Sequence, residues 1–82
     1  MYKPFFQFTN PAAGTKLLSD GSPAPAVHLS TTVDGVFKML SMEGVTVDIA
    51  MEANTSKVVE MPFSEIGAIP GSSGTRTVTI LT

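Results

Sequence analysis

The sequence predicts an all-β domain, which we expect to be a small antiparallel β-sandwich or partly open barrel of five to seven strands with an N-terminal arm. Between Val27 and Phe63, four runs alternate apolar and polar residues, VHLSTTV, VFKMLSM, VTVDIAM and VVEMPF. This period of two places every second side chain on one face of a strand. The runs are separated by residues that favour turns, Asp34-Gly35, Glu43-Gly44 and Asn54-Thr55-Ser56.

The chain divides by composition into an N-terminal arm and loop, residues 1–26, and a β domain, residues 27–82, which we interpret as one domain overall. The first part holds four of the six prolines, which leaves room only for short strands. We expect Tyr2–Thr9 to form an arm or edge strand and Thr15–Leu18 a brief extended piece. We interpret Ser19–Ala26 as a loop with polyproline character.

If the links are short hairpin turns, the four runs from Val27 to Phe63 form one sheet in a meander, with Leu40 and Val47 at the centre of its apolar face. Lys38 interrupts that face, whereas Phe37, Met39 and Val58 fall on the opposite one. The opposite face is therefore half apolar, which predicts a second packed layer or a subunit contact. The turns set these facing pairs: Val33 and Val36, Met42 and Val45, Leu40 and Val47, Ile49 and Met61, Val47 and Phe63.

The last part of the chain predicts a helical turn and a final strand. In SEIGAIPGSSG, Ser64 can cap one turn that carries Ile66 and Ile69 on one side, before Pro70-Gly71 ends it. The terminal TRTVTILT, residues 75–82, is rich in β-branched residues and has a single charge. Such a strand would attract other chains if its edge were open, so we expect the arm or a neighbouring subunit to pair with it.

The composition predicts that the domain associates with other proteins. An 82-residue chain is near the lower size limit for independent folding, and small domains commonly gain stability from disulfides, metals or oligomerisation. The chain has no cysteine and a single histidine, which excludes disulfides and argues against a zinc site. Only 15% of its residues are charged, against about 25% in an ordinary soluble domain. Oligomerisation or docking on another protein therefore remains as the expected source of additional stability.

Other partners and cofactors are not indicated. A net charge of −2 with five basic residues gives no basic surface for nucleic acid. No apolar run approaches the roughly 18 residues of a membrane span. The N-terminal MYKPFFQFTNP lacks the pattern of a secretory signal, so we expect synthesis in the cytoplasm. We predict no cofactor.

The polar residues do not predict an enzyme. In the expected register His28 lies opposite Ser41 with Asp48 further along the same face, but an open sheet offers neither an oxyanion hole nor a strained nucleophile. Glu60 shares this face with Asp48, yet general acid–base catalysis needs carboxyls in a sheltered cleft. The loop GSSGTR, residues 71–76, lacks the spacing of a phosphate-binding loop.

The best candidate for a functional surface is the aromatic set Tyr2, Phe5, Phe6 and Phe8, which holds four of the six aromatic residues. Three interpretations remain open. In the first, the set is a platform on which nucleic-acid bases stack, although such a platform needs basic residues and only Lys3 is near. It is a hydrophobic anchor that docks on a neighbouring subunit. Alternatively, Phe6 and Phe8 extend the core of this domain.

A short, cysteine-free β domain that is low in charge, rich in Thr, Gly and Pro, and has an aromatic N-terminal arm resembles the small capsid-decoration (cement) proteins of tailed bacteriophages. The resemblance covers the overall profile of the chain and transfers no site residue. It implies a structural protein of the virion, made in the host cytoplasm, that binds a major capsid protein at symmetry axes as a homo-oligomer, often a trimer. The alternative is a small ligand- or carbohydrate-binding module that uses exposed aromatics.

Overall fold

The chain folds as a sandwich of two four-stranded antiparallel sheets, which are not closed into a barrel. A computed structural model describes residues 3–18, 22–71 and 73–82. The described residues contain eight strands and no helix, so the predicted all-β fold class is confirmed, with one strand more than the expected five to seven. The strands are β1 (Pro4–Thr9), β2 (Thr15–Lys16), β3 (Ala26–Thr31), β4 (Gly35–Ser41), β5 (Thr46–Met51), β6 (Thr55–Val59), β7 (Phe63–Ala68) and β8 (Arg76–Leu81).

The strand order shows that the predicted meander is wrong. The first sheet has the order β1-β8-β3-β6 and the second the order β2-β7-β4-β5. Only β4 and β5 are consecutive strands that pair with each other, because every other link crosses between the sheets. The Asp34-Gly35 link is one of these crossings. A Cβ atom at Gly35, where φ is 152°, would lie 2.4 Å from the Cβ of Pro70, so this close approach requires glycine.

The core lies between the two sheets and takes alternate residues from both. The first sheet contributes Val27 and Leu29 from β3 and Val78 and Ile80 from β8, all fully buried. The second sheet contributes these buried residues: Phe37, Met39, Ile49, Met51, Phe63 and Ile66. Because β3, β4, β5 and β8 each bury alternate residues, the apolar alternation in the sequence is real, although its pairing differs from the prediction.

The hairpin between β4 and β5 shows why the predicted core of β4 is wrong. Its loop has three residues, Met42, Glu43 and Gly44, and the Ser41 amide donates to the Val45 carbonyl at 2.9 Å. Gly44 adopts φ 80°, the left-handed conformation that ends such a loop. A three-residue loop shifts the register by one residue relative to a two-residue turn, which moves every β4 side chain to the other face.

As a result, Met39 and not Leu40 lies opposite Val47. Phe37 and Met39 are fully buried, Lys38 is exposed, and Leu40 is only partly buried. The predicted centre of the core at Leu40 is therefore wrong, whereas Val47 packs against the core from a partly buried position.

Strand β7 replaces the predicted helical turn. The register between β4 and β7 shifts twice, between Lys38 and Met39 and between Leu40 and Ser41, and each shift adds a residue on the β7 side. These irregularities give the buried residues Phe63 and Ile66 a spacing of three, which resembles a helical period. The hydroxyl of Ser64 lies 3.3 Å from the carbonyl oxygens of both Leu40 and Ser41 at the second shift, so it supports the strand and caps no helix.

The ends of the chain are part of the sandwich. Strand β1 is an edge strand that pairs along β8, as expected for the arm, and β2 pairs with β7 in the other sheet. The terminal strand β8 lies between β1 and β3 and is not an open edge. Part of the predicted 19–26 loop, residues 19–21, lies outside the described residues.

The two ends of the sandwich can be defined from the register. One end is here called the groove end. Neighbouring residues cross the second sheet there in this order: Leu17, Ser64, Ser41 and Val45. The first sheet ends there at Leu81 and Ala26. The opposite end, here called the Arg76 end, carries the 32–34 link, the turn after β5 and the start of β8.

Candidate protein-binding surface

The aromatic residues of β1 lie beside an open groove at the edge of the sandwich, here called the β1–β2 groove. It encloses about 530 Å³. Its lining comes from the edge strands β1 and β2 and from residues that follow β2 and β8: Phe5, Phe6, Phe8, Lys16, Leu17, Leu18 and Thr82. Its lining side chains are mostly apolar, and Lys16 is the one charged residue among them.

The groove exists because the two edge strands have unequal lengths. Phe6 and Phe8 share one face of β1, and their rings contact edge to face with centroids 4.9 Å apart and planes at 71°. Phe8 packs against the core, which identifies this face as the inner one. The opposing strand β2 has only two residues, Thr15 and Lys16, so it cannot cover the whole inner face of β1. Phe6 therefore remains 54% exposed.

A bulge sets the position of Phe5. Pro4 lies opposite Leu81 and Phe6 opposite Ile80, so two residues of β1 correspond to one of β8 at this point. Phe5 is 64% exposed and also lines the groove. The start of β1 is held to the C-terminal residue, because Lys3 and Thr82 exchange two backbone hydrogen bonds of 2.9 Å. The exposed rings are thus carried on a paired strand.

The structure describes three of the four predicted partner-binding residues, and their environments differ. Phe5 and Phe6 are exposed in the groove, and Phe8 is partly buried on the core. Tyr2 lies outside the described residues. The interpretation that the aromatics extend the domain core therefore fits Phe8 and does not fit Phe6.

A second apolar groove, here called the hairpin groove, lies at the same end of the sandwich and encloses about 370 Å³. It is formed by the β4–β5 loop and the link between β6 and β7, with these lining residues: Ser41, Met42, Glu43, Val45, Val47, Met61 and Pro62. The side chain of Met42 is 65% exposed, which is more than that of either Phe5 or Phe6. The sequence pattern assigned Met42, Val45 and Met61 to the core face, so this surface was missed.

The loop length was the signal that could have revealed it. Gly44 as the last of three loop residues predicts a type I turn followed by a left-handed residue, and that choice exposes Met42 at the tip. The hydroxyl of Ser41 also accepts a hydrogen bond from the Val45 amide at 3.2 Å, which fixes the loop.

The polar residues considered for catalysis are not brought together. His28 lies in β3 opposite Val58 and Thr79, whereas Ser41 and Asp48 belong to the other sheet. The expected facing pair of His28 and Ser41 is therefore wrong. Asp48 pairs with Lys38 across the β4–β5 hairpin at 3.2 Å, on an exposed surface.

The described residues also lack a metal-binding constellation and a membrane-spanning helix. Within residues 3–18, 22–71 and 73–82, no three His, Cys, Asp or Glu side chains are grouped so that they could hold a metal ion. The same ranges contain no helix long and apolar enough to cross a bilayer. The chain matches no protein-family model, no curated protein sequence and no solved structure at a significant level.

Proposed function

We propose that this protein is a non-catalytic structural assembly protein and that the β1–β2 groove is the surface with which it holds another protein. The observation that carries the proposal is the exposure of Phe5 and Phe6 on a paired strand beside Leu17 and Leu18. Large aromatic side chains that enter apolar pockets supply much of the binding energy at protein interfaces. An ordered strand presents them at a low entropic cost.

The specific setting that we propose is the decoration and stabilisation of a viral capsid, with a major capsid protein or another scaffold as the partner. Its support is the overall profile of the chain: small, all-β, free of cysteine and low in charge. A protein that covers a shell needs a compact body and an apolar attachment surface, and it needs no reaction centre. In this setting the protein is a component of the virion and a homo-oligomer.

The alternative, a module that stacks ligands or carbohydrates on exposed aromatics, has less support. A stacking surface for a sugar or a base requires a flat, accessible aromatic face. Phe6 and Phe8 are inclined at 71° to each other, and Phe8 is partly buried. These two rings do not form a coplanar platform. The groove fits an apolar protein side chain better than a flat polar ligand.

The proposal can be tested by sedimentation with isolated shell particles from the cells or virions that contain this protein. We expect the full chain to sediment with the particles and to saturate at a fixed number of copies per shell. The Phe5→Ser/Phe6→Ser variant should bind at least about tenfold more weakly, because two apolar anchors are lost. Val58→Ser, at a half-exposed valine on the edge strand β6, is the control and should bind like the parent.

Equal binding of the Phe5→Ser/Phe6→Ser variant would show that the groove is not the attachment surface. Binding of an isolated oligosaccharide that is lost in the same variant would favour the ligand-binding alternative. A chain that sediments with no particle at all would contradict the structural role in a shell.

A further inference from the structure

We infer that two copies of this chain pack end to end about a two-fold axis, with the Met42 loop of each copy in the β1–β2 groove of the other. This inference rests on the proposed function, because it names a second copy as the protein that fills the groove when no scaffold is bound, and the two occupants exclude each other. Three features of the groove end support it: the shape and polarity of the two grooves, the sign of their charges, and their position in the fold.

The loop presents a compact apolar tip of the kind that the groove would hold. Met42 and Val45 are the most exposed apolar residues of the β4–β5 hairpin. The loop is fixed by the hydrogen bond from the Gly44 amide to the Ser41 carbonyl at 3.0 Å and by the Ser41–Val45 bonds described above. A methionine thioether makes favourable contacts with aromatic rings, and the groove offers the rings of Phe5 and Phe6.

The two grooves carry opposite charges. Lys16 lines the β1–β2 groove, and Lys3 immediately precedes β1. Glu43 lines the hairpin groove, and the exposed Glu60 precedes its lining residue Met61 in the sequence. Lys16 lies across the β2–β7 pair from Glu65, but the two side chains form no ion pair. Lys16 and Glu43 therefore both remain available to a partner of opposite charge.

The position of the grooves determines the symmetry. Both lie at the groove end, on opposite sides of it, because Leu17, Ser64, Ser41 and Val45 follow one another across four strands. Three strand spacings separate the two sides by roughly 14 Å. A two-fold axis that lies in the plane of contact, perpendicular to the line joining the two sides, brings the two ends face to face and sets the loop of each copy against the groove of the other. Both contacts form at once, so the assembly closes as a dimer and does not extend as a filament.

The contact area limits the affinity. The contact joins one three-residue loop to one groove in each copy, so it is small compared with the interfaces of stable dimers. We therefore expect a dissociation constant in the micromolar range that increases with salt, since exposed charge pairs are screened. A monomer at low concentration is compatible with this dimer.

The test is sedimentation velocity of the full chain from about 1 to 500 µM, with charge-reversal variants. Lys16→Glu and Glu43→Lys should each weaken dimerisation about tenfold, because symmetry places each changed pair in the interface twice. The K16E/E43K double variant should recover the affinity of the parent, since the charges are exchanged between the two grooves. Glu52→Lys makes the same charge change at the Arg76 end and should leave dimerisation unchanged.

Three results would overturn the inference. A chain that stays monomeric at 500 µM has no such dimer, and its binding to shell particles can still be measured separately. Dimerisation that is insensitive to both single charge reversals uses another surface. Dimerisation that is lost in the Phe5→Ser/Phe6→Ser variant but unchanged in Glu43→Lys would retain the groove as the anchor and reject the loop as its occupant.

Discussion

The two ends of the sandwich differ in their exposed residues: at one end side chains form hydrogen bonds, and at the other apolar side chains face solvent. At the Arg76 end, side chains close the links. The backbone amide and Nε of Arg76 donate to Oδ1 of Asn10 at 2.8 and 2.9 Å, and Nη1 donates to the Pro70 carbonyl at 2.7 Å. The Asp34 carboxylate accepts from the Ala53 amide at 2.7 Å. At the groove end apolar side chains are exposed, among them Met42 in the β4–β5 loop and Phe6 in β1.

This difference separates the residues that hold the fold from those that we propose for binding. Side-chain hydrogen bonds to backbone groups hold the Arg76 end in one arrangement and leave little apolar surface there. Such bonds also fix the Met42 loop, yet the side chains around it have no covering layer among the described residues. A chain with few charges that concentrates its apolar surface at one end has the composition expected of a protein that associates through that end.

The core that both ends share should show the largest single effect. Met39→Ala should lower the free energy of unfolding by about 3 kcal/mol, because a fully buried side chain is lost and a cavity remains. Leu40→Ala, one residue further on and only partly buried, should cost about 1 kcal/mol. Urea unfolding of both variants measures the difference. A larger loss at Leu40 would restore the register that a two-residue turn predicts.

Glycine substitutions compare the ends directly. Gly35→Ala at the Arg76 end should cost roughly 2 to 4 kcal/mol, because the new Cβ would collide with Pro70 at a positive φ. Gly44→Ala at the groove end also has a positive φ, but no atom lies within 4 Å of the new Cβ. It should cost about 1 kcal/mol. Thermal unfolding checks both, and equal losses would contradict the difference in packing between the ends.

The Arg76 hydrogen bonds should contribute less than the core but more than a surface ion pair. Arg76 is 7% exposed and has only neutral acceptors. Arg76→Ala removes the Nε donor to Asn10, which keeps the backbone amide, and leaves the Pro70 carbonyl without its Nη1 donor. We expect a loss of about 2 to 3 kcal/mol in denaturant unfolding. Lys16→Ala at the groove end, measured below 1 µM, is the control and should change stability by less than about 0.5 kcal/mol. Similar losses in the two variants would be inconsistent with this account.

The exposed ion pair should show the smallest effect. Lys38 and Asp48 have side chains 49% and 60% exposed, so solvent screens their attraction. Asp48→Asn should change the free energy of unfolding by no more than about 0.5 kcal/mol, and added salt should reduce even that. Parallel urea titrations at low and high salt measure it. A loss above 1 kcal/mol would mean that this face is covered in solution.

The sequence was sufficient to predict the class of fold and the general character of the surface. Alternation and β-branched residues identified TRTVTILT as a strand, which is β8, and predicted that its edge is paired, here by β1. The clustering of Phe5, Phe6 and Phe8 identified one wall of the β1–β2 groove. These features depend on local composition and period, which do not require knowledge of which strands pair.

Features that depend on pairing could not be predicted from the period alone. A strand with an apolar residue on each face, such as Val36–Met39, fits two registers, and the length of the Met42–Gly44 loop decides between them. The irregular pairing around Ser64 gave β7 a spacing that resembles a helix. Met42 and Met61 are exposed because of this loop length and strand pairing, so the hairpin groove could not be predicted from the apolar period.

The central claim, that the groove end is the binding surface, is tested most directly by NMR spectra of the full chain across a dilution series from about 1 mM to 10 µM. We predict that concentration-dependent shifts are confined to backbone amides of the groove end, with the largest at these residues: Phe5, Phe6, Leu17, Met42, Glu43 and Val45. Amides of Asn10, Asp34 and Arg76 should not shift. Shifts concentrated at the Arg76 end, or none at either end together with unaltered shell binding by the Phe5→Ser/Phe6→Ser variant, would contradict the claim.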